Sequence, residues 1–227
     1  MLIEIATGIY LIPARGGNFY LAATESDCIV VDAGMPGRAE MLFGVMGQLG
    51  WPLTAISHVL ITHADIDHVG SLAAIVAASG ATVIAAAPTA EHIQAGTMPK
   101  HMPAPIQFVI ERFMRYDAVS AAQIDLCATG ETLPFLGGLE VIATPGHTAD
   151  HHAFYAPAAD FLFAGDALET RNAVGVPPKM IAWNYETAVR SAKKLLELTP
   201  AAIACGHGLP STSHTAAELT AIASGLG

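Results

Sequence analysis

The stretch Thr62-His63-Ala64-Asp65-Ile66-Asp67-His68-Val69-Gly70 places four side chains of metal-ligand type close together in the chain. Imidazole nitrogens and carboxylate oxygens are the atoms that divalent metals take from proteins. The spacing adds a geometry. Residues two apart in an extended run point the same way, so His63 and Asp65 can reach one point while a turn at Asp67 and His68 aims at another. That arrangement suits two neighbouring metal ions. The run follows a strand-like stretch, Ser57 to Thr62, and loops after strands are where sites are built.

Three more residues of the same kind stand in turns with glycine beside them: His147 in Thr144-Pro145-Gly146-His147-Thr148, Asp166 in Phe163-Ala164-Gly165-Asp166, and His207 in Gly206-His207-Gly208. Glycine permits the tight backbone that brings a short ligand to a shared centre. Taken in this order, the motifs resemble the metallo-β-lactamase superfamily, whose pattern is H-x-H-x-D-H, a His in T-P-G-H-T, an Asp after a Gly, and a His in G-H-G. The resemblance covers most of the chain, from the Asp32-Ala33-Gly34 turn to His207. It implies an α/β fold, a four-layer αββα metallo-β-lactamase sandwich with the site at one edge, formed by residues 1–227 as a single domain. It also implies two divalent metal ions, zinc first, with iron or manganese as alternatives.

Carried over by position, the resemblance implies that His63, Asp65 and His147 form one metal site and Asp67, His68 and His207 the other, with Asp166 bridging them. A metal-bridging hydroxide would be the nucleophile, since coordination lowers the pKa of water and the metals polarise the carbonyl. Asp67 would orient it and shuttle its proton. The chain departs from the pattern at Asp65, where the family has its second His. Asp65, Asp67, Asp166 and a hydroxide together balance the charge of two divalent cations. Such a centre is a weaker Lewis acid than one with His at 65, and iron and manganese gain on zinc. Asp65, Asp67 and Asp166 also have an ordinary reading, as turn residues with a capping role. His151 and His152 read as neighbours of the site or surface residues rather than ligands. His58, His92, His101 and His214 are expected to be exposed, and Cys205 to be a small buried residue.

The implied reaction is hydrolysis of an ester, lactone or thioester, with the metals stabilising the tetrahedral oxyanion. Lactonase-like or glyoxalase-II-like activity leads over β-lactam hydrolysis, because the first residues show no secretion signal. The rivals are a diiron oxidoreductase of flavodiiron type without its flavodoxin domain, which has an acidic residue at the position of Asp65, and a metal-binding module without catalysis.

To position these residues the chain must alternate strands and helices. Strands are expected at Ile3 to Leu11, Phe19 to Ala23 and Cys28 to Val31 as an antiparallel meander, with a helix from Arg38 to Leu49 stopped by Gly50 and Pro52. Gly70 to Ser79 reads as a helix, Ala81 to Ala86 as a buried strand, and Pro88 as the opening of a turn. Residues 96–130, with Met98, Met102, Phe108, Phe113 and Met114, read as an insert near the active site, and Trp183, Asn184 and Tyr185 as residues of the same mouth. The second half offers strands at Leu139 to Ala143, Ala153 to Ala156, Phe161 to Ala164 and Ala201 to Ala204, and helices at Tyr185 to Leu198 and Thr215 to Ser224.

Bulk properties narrow the class. Of 227 residues 52% are hydrophobic, enough for a large core without staples. Net charge is -10 with ten Lys and Arg, so nucleic acid and other polyanions are excluded as partners. Histidines equal Lys and Arg together, ten of each, which asks for a metal. Three distant cysteines fit a reducing compartment, and no apolar run reaches the ~18 residues of a membrane span. The expectation is a cytoplasmic monomer or homodimer acting on a small acyl substrate.

Overall fold

Short apolar runs separated by turn residues build the first sheet. In the computed structural model, which describes residues 2–212 and 214–226, β1 (Ile3–Ala6) and β2 (Ile9–Ile12) form a hairpin. The expected single strand from Ile3 to Leu11 is therefore broken at Gly8, whose φ of 71° turns the chain. β3 (Phe19–Ala23) and β4 (Cys28–Val31) continue the meander with the predicted bounds. β5 (His58–Leu60), β6 (Thr82–Ala86) and β7 (Ile124–Cys127) then add in parallel. The sheet runs β1-β2-β3-β4-β5-β6-β7.

Parallel neighbours need crossovers, and helices supply them. They are α1 (Ala39–Leu49) before β5, α2 (Ile66–Val69) and α3 (Leu72–Ser79) before β6, and α4 (Ala87–Ala95) and α5 (Ala104–Phe113) before β7. α1 buries Leu42, Val45 and Met46 at helical spacing, and these join Leu21, Val30, Val59 and Ile75 in one core. Pro88 does not open a turn. It occupies the first turn of α4, where its missing N–H has no helical partner to lose. Residues 96–130 contain α5 and end in β7, a strand hydrogen-bonded to β6.

The second sheet consists of β8 (Thr132–Leu133), β9 (Leu139–Ala143), β10 (His152–Ala156), β11 (Phe161–Gly165), β12 (Ala202–Cys205) and β13 (Ser211–Thr212). Its order is β13-β12-β11-β10-β9-β8. Among the described residues of this sheet, only β11 and β12 pair in parallel, and the crossover between them carries α6 (Tyr185–Leu196). The Asn184 side chain caps α6 by accepting from Thr187 N–H. α7 (Ala216–Gly225) starts with a capping box of Thr215 and Glu218, and its Leu219 joins Leu195, Leu196 and Ile203 in a second core. The chain divides into two compact units. One holds residues up to Met98 together with Ile110–Cys127, and the other holds Pro99–Val109 together with the residues from Ala128 on.

Candidate metal centre

In the first unit the ligand-type residues emerge where the parallel strands β4 and β5 end. Val31 lies opposite Leu60, and Asp32, the next residue, donates its N–H to the Leu60 carbonyl at 2.8 Å. Asp32 is buried with a φ of 62°, a left-handed conformation uncommon outside glycine and found where a site requires it. Its carboxylate accepts from the Thr62 N–H at 2.9 Å, from the Thr62 hydroxyl at 3.0 Å and from His68 Nδ1 at 2.8 Å. Because the Thr62 hydrogen goes to Asp32, Thr62 Oγ1 accepts from His63 Nδ1, 3.0 Å away. Both imidazoles are thus held with the proton on Nδ1 and the lone pair on Nε2, the arrangement a ligand histidine needs. Their ring centroids are 4.1 Å apart.

Asp65 occupies the position before α2 but makes no capping hydrogen bond with its side chain. Its Oδ2 instead lies 3.5 Å from His63 Nε2, as the two-residue spacing predicts. Asp67 and His68 stand in the single turn of α2. His63, Asp65 and His68 are buried, and Asp67 is half-buried.

The second unit repeats the device. Asp166 follows β11, His207 follows β12, and the Gly206 N–H donates to the Gly165 carbonyl at 3.0 Å. His207 Nε2 lies 3.1 Å and His147 Nε2 lies 3.5 Å from the same oxygen, Asp166 Oδ2. The turn after β9 that carries His147 is held by the start of α6. The Trp183 N–H donates to the His147 carbonyl at 2.8 Å, the Asn184 N–H to the Gly146 carbonyl at 2.9 Å, and the Ser191 hydroxyl to the Pro145 carbonyl at 2.7 Å. Gly146 has a φ of 145°, and a Cβ there would fall 2.3 Å from the Ala188 nitrogen.

Four residues near these ligands bear on sequence expectations. His151 is buried and uses both nitrogens structurally: Nε2 accepts from the Asp166 N–H at 2.9 Å, and Nδ1 donates to the Thr144 hydroxyl at 2.7 Å. His152 is half-buried and donates from Nδ1 to the Asp150 carbonyl at 2.8 Å. Cys205 is buried, and burial first, then the Asp166 charge, pushes its thiol pKa upward, so it is a packing residue rather than a nucleophile. His101, expected to be exposed, is half-buried with its ring centroid 4.9 Å from that of His147. His58, His92 and His214 are likewise half-buried. Asp32, Thr62 and His101 are the neighbours that sequence reasoning did not single out. Only Asp32 had a signal, its place at the end of a strand in Asp32-Ala33-Gly34.

The donor set fits a divalent metal. Two atoms bound at zinc distances and a tetrahedral angle stand about 3.3–3.5 Å apart. The nitrogen-to-carboxylate separations within each unit, 3.5 Å at His63 and Asp65, 3.5 Å at His147 and Asp166 and 3.1 Å at His207 and Asp166, lie at or near that spacing. Imidazole and carboxylate together suit zinc, iron and manganese.

All these motifs fall within residues 12–207, the stretch over which the sequence matches the metallo-beta-lactamase superfamily. The chain belongs to the metallo-β-lactamase superfamily. It is a metallo-hydrolase of that superfamily, similar to the probable metallo-hydrolase YflN of Bacillus subtilis, with 25% identity over 98% of this chain and 92% of that protein. It is also 32% identical to a hydroxyacylglutathione hydrolase of Albidiferax ferrireducens, over 75% of this chain and 57% of that enzyme. Among solved structures, a B3 metallo-β-lactamase with an active-site glutamic acid superposes with a TM-score of 0.75, 22% identity, 98% of this chain and 86% of the other. That likeness gives the metallo-β-lactamase superfamily member its fold, the αββα sandwich. No helix among the described residues is long and apolar enough to cross a membrane.

Proposed function

We propose that this metallo-hydrolase cleaves an acyl bond, thioester or lactone before ester, in a small-molecule substrate, with two metal ions held by His63, Asp65, Asp67, His68, His147, Asp166 and His207. The observation that carries the reading is Asp166 Oδ2 standing within 3.5 Å of Nε2 of both His147 and His207, the position of a carboxylate that serves two metals. Zinc leads, and Asp65 in place of histidine leaves iron and manganese as competitors. A divalent metal bound there supplies a water that ionises near neutral pH and an electrophile for the carbonyl oxygen.

The remaining roles belong to the chain. Asp67 orients the attacking water, takes its proton on a carboxylate oxygen and returns it to the departing alkoxide or thiolate. Asp32 and Thr62 hold His63 and His68 in the ligand tautomer. The half-exposed Trp183, hydrogen-bonded to the His147 turn, and the apolar residues of 96–130 border the substrate. Likeness to a hydroxyacylglutathione hydrolase supports the thioester. The buried thiols Cys28, Cys127 and Cys205 support a reducing compartment, the cytoplasm.

The test is a panel of short and long acyl lactones, acyl thioesters and a chromogenic β-lactam, offered to zinc-, iron- and manganese-loaded protein. Turnover of a thioester or lactone that stops on chelation is expected. Turnover of the β-lactam alone, or oxygen consumption by the iron form without hydrolysis, contradicts the proposal.

A further inference from the structure

The second unit contains an imidazole that the family pattern does not supply. We propose that His101 is an additional metal ligand, recruited from the α5 region into the donor set of the ion that His147 holds. The proposal rests on the reading of that set as a metal site.

Three observations carry it. First, His101 and His147 present ring nitrogens within 4.8 Å of each other, with ring centroids 4.9 Å apart and planes tilted by 56°. Tilted rings with close nitrogens can bind one ion, whereas rings packed as apolar surfaces stack with an offset or edge to face. Second, His101 Nδ1 lies 3.3 Å from the Pro99 carbonyl. A carbonyl can only accept, so the proton is on Nδ1 and the lone pair on Nε2, the same tautomer that Asp32 and Thr62 impose on His68 and His63. Third, the loop that bears His101 has a dedicated brace. Gln107 Oε1 accepts from the backbone N–H groups of His101 and Met102, each at 3.3 Å, and Gln107 Nε2 donates to the Pro99 carbonyl at 3.3 Å.

Gln107 is the buried residue of α5, while Ile106, Phe108, Val109 and Phe113 of the same helix are exposed, at 41%, 67%, 52% and 73%. The helix packs Ile110 against the first core, but its buried amide at Gln107 adds nothing to that apolar contact. Its buried contact serves the loop instead. The chemistry supplies the reason. With Asp65 in the position of the pattern's second histidine, the motif residues provide one imidazole fewer than the family pattern, and His101 brings the number back. A centre with an extra imidazole also holds zinc better against the harder metals that the added carboxylate favours.

The experiment compares the parent protein with His101→Ala, His101→Gln and, as a control for a half-buried histidine elsewhere, His92→Ala. Zinc affinity is read by competition with a chromophoric chelator, and the visible spectrum of the cobalt(II)-loaded protein reports coordination. Circular dichroism of the metal-free proteins checks that each variant folds. We expect both His101 variants to fold, to lose one zinc by more than the roughly 100-fold that removing an outer neighbour of a ligand costs, and to change the cobalt spectrum. His92→Ala should do neither. A parent that binds zinc, with His101 variants that bind it as tightly and give the parent's cobalt spectrum, overturns the assignment alone. A parent that binds no metal overturns both the assignment and the proposed function. If His101→Ala does not fold, His101→Gln decides, since it keeps the polar bulk and removes the imidazole.

Discussion

One carboxylate, Asp32, receives the His68 ring and the Thr62 hydroxyl, and through Thr62 it also fixes His63. Replacing it with asparagine offers a donor where two donors already converge. Asp32→Asn should therefore lower zinc affinity by about 10–100-fold while the protein still folds, measured by chelator competition. The sequence marked Asp32 only as the end of a strand. Its role depends on the pairing of β4 with β5, which brings residues thirty positions apart into contact, and no local pattern records that. His63, Asp65, Asp67 and His68 were legible as candidate ligands because their ligand character and spacing lie within one short run. His101 was not, since nothing beside it in the chain signals a ligand. A second prediction concerns His152. Burial, the largest influence, pushes its pKa below the ordinary 6.5, against the pull of the Asp150 carbonyl and carboxylate. The unfolded chain then binds the proton first as pH falls through about 6.5, so stability declines with acidification. Urea midpoints at about pH 7 and pH 5.5 should differ less in His152→Gln than in the parent.

At the level of elements, the ligands are delivered by strand ends, and the turns between them must fit closely. A methyl group at Gly146 would meet the Ala188 backbone at 2.2–2.3 Å, at a φ that disfavours any side chain. Gly146→Ala should destabilise the protein by about 3 kcal/mol or more and weaken metal binding through His147, read by chemical denaturation and zinc competition. Asn184→Ala removes the cap of α6 and should cost about 1 kcal/mol by the same denaturation measurement. β3, β4 and β9 have the bounds read from the sequence because each is an apolar run with turn residues at both ends. β8 and β13 are two residues long, too short for any periodicity. The run from Ile3 to Leu11 looked continuous because a single glycine makes the hairpin turn. β7 is less apolar, with Asp125 and an exposed Leu126, which hid it within a stretch that read as an insert.

At the level of the whole molecule, each compact unit carries ligand-type residues just after its strands: His63 to His68 after β5 in one, and His147, Asp166 and His207 after β9, β11 and β12 in the other. Metal binding to the folded chain must then raise its stability by mass action. Chelation should lower Tm by several degrees, since about 1 kcal/mol shifts Tm by roughly 2–4 °C in a chain of this size, and adding zinc should restore it. A thermal melt with and without chelator checks this. The net charge of -10 directs the search for substrates toward neutral or weakly charged acyl compounds rather than polyanions. The most direct measurement is a titration of metal-free protein with zinc, following bound metal and hydrolysis of an acyl thioester or lactone in the same samples. The account predicts that activity rises with metal and stops rising at two ions per chain. Saturation with metal and no hydrolysis of any acyl substrate, or hydrolysis that does not depend on metal, would contradict it.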